Sequence, residues 1–198
     1  DTAVKATHQF FFHTAQTIEV FAFGAGTIGG TMIDQIRDQR EKLLKENVDI
    51  KVLAITTIDG MNLSEDGLDL TNWREDLKTP MFKFGPENVD DIIKFVKEKK
   101  PLNPVFVDCT ASYDLPDRYL DILNAGMSIA TPNKRANSKN IEFYHELRRV
   151  ANKMHRRFLY ETNVGAGLPI IDTLQNLFKS GDKLTGFYGI MSGSLSYI

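Results

Sequence analysis

"VFAFGAGTIGGTMIDQI", residues 20–36, places glycines at the spacing Gly24-x-Gly26-x-x-Gly29, with Gly30 beside them, between an apolar run and a helix-like run. "TIEVFAF" (17–23) is short, β-branched and aromatic, and predicts a strand. Thr27 to Glu46 predicts a helix. Ile28, Met32, Ile36, Leu43 and Leu44 recur there at near-helical intervals, with Arg37 to Lys42 on the solvated side. "DIKVLAIT" (49–56) predicts a second strand. A lone G-x-G-x-x-G says little, but a strand before it, a helix after it and a second strand within about 30 residues make it a dinucleotide-binding prediction. Gly24 permits the tight turn, Gly26 lets the backbone approach a pyrophosphate, and Gly29 lets the helix pack closely on the strand. The free N–H groups of the helix N-terminus complete the anion site. The competing reading is a purely structural glycine bend.

The same alternation continues. Asn88 to Lys100 predicts an amphipathic helix, "NPVFVDCT" (103–110) a buried strand, Leu115 to Ala125 a helix and "MSIAT" (127–131) a strand. A helix over about Ile141 to His155, a strand "RFLYET" (157–162) and a helix in "LPIIDTLQNLFKSG" follow, and "KLTGFYGIMSG" predicts a closing strand. Residues 60–80 are polar, with a single helix expected to start near Thr71, a plausible N-cap. Alternating strands and helices predict an α/β fold, a doubly wound, mostly parallel sheet of the Rossmann type. The aromatic stretch before Thr17, with Phe10 to Phe12, reads as the tail of an upstream element, and the chain as a piece of something longer.

At 198 residues and 42% hydrophobic, the chain can bury one sizeable core. A net charge of -2 gives no ground for a nucleic-acid or acidic-membrane partner. No apolar run approaches the ~18 residues of a membrane span. The one cysteine, Cys109, excludes an internal disulfide and fits a reducing, cytoplasmic compartment.

Three further segments carry possible chemistry. "VDCTAS" (107–112) ends a strand where open α/β sheets bind ligands, so Thr110 and Ser112 are candidates for a nicotinamide ribose. Cys109 is either a thiol nucleophile for aldehyde oxidation or a buried strand-end thiol; the second is the better reading, since no basic cluster adjoins it. "ATPNKRA" (130–136) lifts Lys134 to the top of a loop, where it can donate to a carbonyl or carboxylate oxygen or simply be solvated, as is expected of Arg135. "YETNVGAGLP" (160–169) sets Glu161 before a loop of exposed carbonyls, which suits a hard cation or a helix entry with Glu161 in a salt bridge. His8, His13, His145 and His155 are too scattered for a zinc site. The second strand ends in Thr56 and Thr57, where an NAD site often carries an acid; Asp59 beyond them either holds a ribose or starts a turn with Gly60.

"FGAGTIGG", "VDCTAS", "TPNKRAN", "FLYETNVGAGLPIIDTLQNL" and "GIMSGSLSYI", in this order and spacing, resemble the homoserine dehydrogenases, above all the dehydrogenase half of bifunctional aspartokinase–homoserine dehydrogenases. The resemblance runs from about Thr17 to Ile198. It implies NAD(P)-dependent interconversion of aspartate 4-semialdehyde and homoserine, in a homodimer or higher oligomer. It divides the chain into a linker (1–16), a Rossmann NAD(P)-binding domain (17–160) and the start of an α+β catalytic and dimerisation domain (161–198). By similarity, Gly24, Ala25, Gly26, Thr27, Ile28 and Gly29 hold the pyrophosphate, Thr110 and Lys134 contact NADP or NAD, and Lys134 lies close to the reacting centre. Glu161 with the carbonyls of Val164, Ala166 and Leu168 matches a monovalent-cation site, usually sodium. Gly193 and Ser194 match a stretch bordering the substrate. Asp59 stands where NADP-preferring relatives often carry a basic residue, which puts a firm NADP preference in doubt. The family's substrate-binding acids and proton-donating lysine fall after "SGSLSYI". The alternatives are a semialdehyde dehydrogenase using Cys109 and a nucleotide-sensing module without catalysis.

Overall fold

Four consecutive residues, Val20, Phe21, Ala22 and Phe23, are buried at the end of β1 (Gln16–Phe23). Successive strand side chains point to opposite faces, so a strand apolar on both must lie inside a sheet covered on both sides. The computed structural model, which describes Val4, residues 15–83, Gly85 and residues 87–189, places β1 at that position. β1 pairs in parallel with β2 (Val48–Thr56) on one side and β5 (Pro104–Asp108) on the other. β6 (Ser128–Ala130) and β7 (Phe158–Leu159) extend the parallel sheet beyond β5. β3 (Gly60–Leu63) and β4 (Phe82–Lys83) add an antiparallel edge beyond β2, giving the order β4-β3-β2-β1-β5-β6-β7.

Two cores follow from the alternation. Phe21, Phe23 and Phe106 face α3 (Glu87–Lys99), α4 (Tyr119–Asn124) and α5 (Ile141–Lys153) through Val89, Ile92, Ile122, Leu123 and Leu147. Val20, Ala22 and Val107 face the other layer, with Ile33 of α1 (Thr27–Lys45) and Trp73 and Leu77 of the α2 turn region (α2, Trp73–Asp76). The chain leaves β1 toward β2 but returns on the opposite flank as β5. The direction of winding therefore reverses between β1 and β5, which opens a crevice at their carboxyl ends.

Three expectations are corrected. Residues 60–80 hold β3, which was not expected, and one short helix, α2, near the expected place but with Asn72 rather than Thr71 as its N-cap. Asp69 takes both the backbone N–H and the hydroxyl of Thr71 in a local turn, so the helix starts at Trp73 instead. The helix expected over Leu115–Ala125 is a 3-10 turn, Leu115–Arg118, leading into α4; Pro116, which has no N–H, sits in that first turn. Residues 183–189 form no strand, and no described strand pairs with them. The rest of that expected strand, the 1–14 stretch apart from Val4, and the substrate candidates Gly193 and Ser194 lie outside the described residues. No helix among the described residues is long and apolar enough to cross a membrane.

Candidate functional site

The glycine turn sits at the crevice and is wedged between two strand ends. The Gly24 N–H donates to the carbonyl of Thr56 at 2.9 Å, and the Cys109 N–H donates to that of Phe23 at 2.7 Å. Gly24 has φ +84°, and a Cβ there would lie 2.9 Å from the Cys109 carbonyl carbon and from Thr110 Cγ2. A Cβ on Gly29 would fall 1.8 Å from the Gly24 carbonyl oxygen, so the first turn of α1 presses directly on the loop before it. Gly26 differs: a Cβ there meets nothing within 4 Å. It is the N-cap of α1, makes no side-chain cap bond, and no acidic residue follows in the first turn. The helix thus presents uncapped N–H groups and its positive dipole end to open space, an arrangement suited to an anion. Thr27 and Ile28 are exposed beside it, and Ala25 is half-buried. Ile28 therefore does not belong to the buried stripe of α1, which is Gly29, Gly30 and Ile33.

On the other side of the turn, a cleft of about 670 Å3 opens between β1, β5 and α3. Phe23, Val89 and Leu115 supply apolar walls, and Thr110, Ser112 and Arg118 polar ones. The volume lies in the range of small-ligand pockets. Val89 and Arg118 had no local sequence signal, since they come from separate helices that only the fold brings to this mouth.

The ends of β5 and β6 are fastened together by a buried polar cluster. Asp108 is fully buried. Its Oδ1 accepts from the Thr110 N–H at 2.7 Å and the Thr110 hydroxyl at 2.6 Å. Its Oδ2 accepts from the Tyr119 hydroxyl at 2.6 Å and the Asn133 amide at 3.1 Å. Burial first, then the Asp108 charge, hold the Tyr119 phenol protonated, far above its ordinary range. Asn133 also donates to the Ser112 carbonyl at 3.0 Å and accepts from the Arg135 N–H at 3.0 Å. Lys134 follows at the start of a 3-10 turn, Arg135–Ser138, its carbonyl accepting from Asn137 and Ser138. Its backbone is anchored, while its exposed ammonium makes no ion pair or hydrogen bond among the described residues. Arg135 is not simply solvated: its guanidinium lies 3.6 Å from the centroid of the Tyr113 ring.

Cys109 sits at the switch point but is chemically quiet. Burial, helped by the neighbouring Asp108 charge, pushes its thiol up to about 11. A thiol nucleophile needs the opposite shift, so the reading as a catalytic cysteine loses its chemical ground. At pH 7.5 iodoacetamide is expected to alkylate Cys109 at least ~100-fold more slowly than a free cysteine. A rate equal to the free thiol's would restore the nucleophile reading.

At the end of β2 the Thr56 hydroxyl is buried and has no hydrogen-bond partner. Asp59 lies in a tight turn: its N–H donates to the Thr57 hydroxyl at 3.2 Å, and the Thr57 N–H to the Gly60 carbonyl at 2.8 Å. The Asp59 carboxylate stays at the surface, free to meet a ligand. Glu161 is taken up differently from the expected salt bridge. Its two oxygens accept from the Ile171 and Asp172 N–H groups at 2.9 and 2.8 Å, capping α6 (Ile171–Lys179). The loop of Val164, Ala166 and Leu168 is exposed, turns through positive φ at Gly165 and Ala166, and has the Leu168 carbonyl engaged by the Ile170 N–H at 2.9 Å. No three His, Cys, Asp or Glu side chains gather as a metal cluster among the described residues.

Comparison with known proteins agrees with this geometry. The sequence model of the family described as "Homoserine dehydrogenase, NAD binding domain" matches residues 24–161. A bifunctional aspartokinase/homoserine dehydrogenase from Haemophilus influenzae is 45% identical over 99% of this chain, which spans 24% of that protein. The homoserine dehydrogenase of Schizosaccharomyces pombe is 33% identical over 91% of the chain, matched to 48% of its own length. Among solved structures, a hyperthermophilic archaeal homoserine dehydrogenase in complex with NADPH superposes with a TM-score of 0.65 at 26% identity, over 83% of this chain and 50% of that one. The chain thus spans about a quarter of the length of the bifunctional relatives. With its glycine turn at the β1/β5 switch point and this family match over most of its length, the chain belongs to the homoserine dehydrogenase family, through its NAD-binding domain.

Proposed function

We propose that this chain provides the NAD(P)-binding part of an enzyme that interconverts aspartate 4-semialdehyde and homoserine, a step of threonine, methionine and isoleucine biosynthesis. The observation that carries the reading is the bare N-terminus of α1 at Gly26, facing open space where the sheet changes winding direction. A dinucleotide pyrophosphate would lie against the N–H groups of residues 25–29, with Gly24 shaping the turn beneath them, and the cleft by Phe23, Thr110 and Arg118 would take one of its flanking halves. The reduced nicotinamide supplies the hydride. Thr110, at the end of β5, orients the cofactor, and Lys134 meets the aldehyde oxygen, where charge builds as the hydride arrives. The substrate-binding acids and the proton donor are assigned to residues beyond Ile198, in a catalytic and dimerisation domain that begins near Glu161. Gly193 and Ser194 border the substrate. The assembled enzyme is a cytoplasmic homodimer or higher oligomer. Either NADP or NAD serves; the exposed Asp59 carboxylate after β2 opposes a 2′-phosphate by charge.

Glu161 and the carbonyls of Val164, Ala166 and Leu168 would supply an all-oxygen donor set, which suits a hard monovalent cation such as sodium. A sodium ion there would share the Glu161 carboxylate with the N-terminus of α6.

The test is twofold. NADPH fluorescence titration of the chain is expected to show saturable binding, and the complete protein is expected to oxidise NADPH only when aspartate semialdehyde is added. Absence of binding up to about 1 mM, the upper end of the usual KM range, would overturn the cofactor assignment. Binding without turnover would leave a nucleotide-sensing module.

A further inference from the structure

The polar cluster around Asp108 contains more than burial requires. A buried carboxylate is costly unless hydrogen bonds satisfy it. Asp108 has no cation partner among the described residues, and its two oxygens are matched instead by four donors. These come from three places: Thr110 after β5, Asn133 after β6, and Tyr119 on α4. The first two belong to the loops that the proposed reaction uses.

We infer that Asp108 is a positioning residue, a carboxylate that clamps the loops after β5 and β6 into one register and so fixes where Lys134 and Thr110 stand. The inference rests on the proposed reaction. A carboxylate only accepts hydrogen bonds, so it dictates the polarity of everything around it. The Asn133 side chain must turn its NH2 toward Asp108, which also brings it to the Ser112 carbonyl. Its own carbonyl is then left facing the other way, where it accepts from the Arg135 N–H. That bond closes the turn spanning Lys134. The Thr131 hydroxyl ties the same loop back to the strand, donating to the Asp108 carbonyl at 2.8 Å and accepting from the Asn133 N–H at 2.9 Å.

A second consequence falls on Thr110. The single hydrogen of its hydroxyl is committed to Asp108, and the oxygen accepts from the Ser112 N–H at 3.1 Å. Thr110 can therefore meet a cofactor only as an acceptor or through its methyl group. Charge-assisted bonds hold this arrangement more rigidly than neutral ones would, and rigidity matters because misplacement by about 1 Å can cost a reaction ~100-fold.

Asp108→Asn keeps the shape but gives one oxygen position donors of its own, facing donors. In the complete protein, assayed for aspartate semialdehyde reduction, it is expected to lower kcat about tenfold or more, while the NADPH Kd changes less than about threefold. A carboxylate that merely stabilised the fold would lower kcat and NADPH affinity together. Should Asp108→Asn fail to fold, Asn133→Ala cuts the same link and is expected to show the same loss in kcat. A kcat within twofold of the parent in either folded variant, or an equal loss of kcat and NADPH affinity, would overturn the inference. An inactive parent would instead count against the reaction assignment. The clamp is then read by amide hydrogen exchange at Arg135, which Asp108→Asn should speed about tenfold or more, and unchanged exchange would overturn it.

Discussion

Gly29→Ala is expected to damage the fold, and Gly26→Val the ligand site, although both replace a glycine of the same turn. A Cβ on Gly29 would sit 1.8 Å from the Gly24 carbonyl oxygen, 2.9 Å from its carbon and 3.1 Å from Cys109 Cβ. Two of these three neighbours are backbone, so no rotamer change relieves the clash; α1 must lift from β1. Ile33 and the buried residues of that layer would move with it. A loss of roughly 3 kcal/mol or more is expected, at the upper end of overpacking costs. For a domain of this size that corresponds to a fall in Tm of about 6–12 °C.

At Gly26 the new side chain enters empty space. Replacing an N-cap glycine by a residue without a capping group costs on the order of 1 kcal/mol. Valine would, however, fill the volume over the N–H groups of the first turn, which the pyrophosphate needs. NADPH affinity is expected to fall about 100-fold or more while the protein stays folded, the loss of several anion hydrogen bonds at roughly 1.5–3 kcal/mol each setting the scale. Calorimetry with NADPH and a thermal melt on both variants decide the matter. A Gly29→Ala melt within 2–3 °C of the parent, which is under about 1 kcal/mol, would contradict the packing argument. Unchanged affinity in Gly26→Val would leave only a structural bend.

That turn was legible because its information is local. Each glycine answers to a contact within the same strand–turn–helix unit, so spacing alone predicts it. β1, β2, β5, α1, α3 and α5 were equally readable, being long or strongly periodic. The antiparallel edge was not. β3 has four residues and β4 two, at or below the length at which alternation can be recognised, and their pairing depends on Gly60 having no Cβ, which would lie 2.2 Å from the Phe82 carbonyl oxygen. Ile28 shows the reverse failure: helical spacing put it with the core, but the helix rotates it out toward the open side of the turn, where it is 60% exposed.

The site was legible in part for a similar reason. "VDCTAS" and "TPNKRAN" mark two strand ends, and Thr110 and Lys134 could be singled out there. Asp108 could not, because nothing in the letters says that its carboxylate is buried or that Tyr119 and Asn133 converge on it from 11 and 25 residues away. Cys109 drew attention as a reactive type, yet reactivity depends on surroundings that only the fold supplies, and those hold the proton on. Glu161 was read as a cation ligand or a salt-bridge partner; its use as a cap for α6 needed the helix start at Ile171, which the sequence placed three residues earlier.

Lys134→Ala in the complete protein is expected to lower kcat for aspartate semialdehyde reduction about 100-fold or more, the range of a positioned acid or oxyanion donor. Hydride addition turns a neutral carbonyl oxygen into an alkoxide, so a cation beside that oxygen stabilises the transition state far more than the ground state. The structure supports such a role by what surrounds the residue. The backbone of Lys134 is held by Asn137, Ser138 and the Asn133–Arg135 turn, whereas its ammonium is left without a partner among the described residues. Because the ammonium touches neither the glycine turn nor the core, Lys134→Ala should melt within a few degrees of the parent. Lys134→Arg retains the charge but spreads it over a planar fork in place of a compact ammonium, and is expected to recover only a minor part of the rate. A drop confined to NADPH affinity, with kcat preserved at saturating cofactor, would make Lys134 a cofactor-binding residue alone and move the oxyanion donor to the region beyond Ile198.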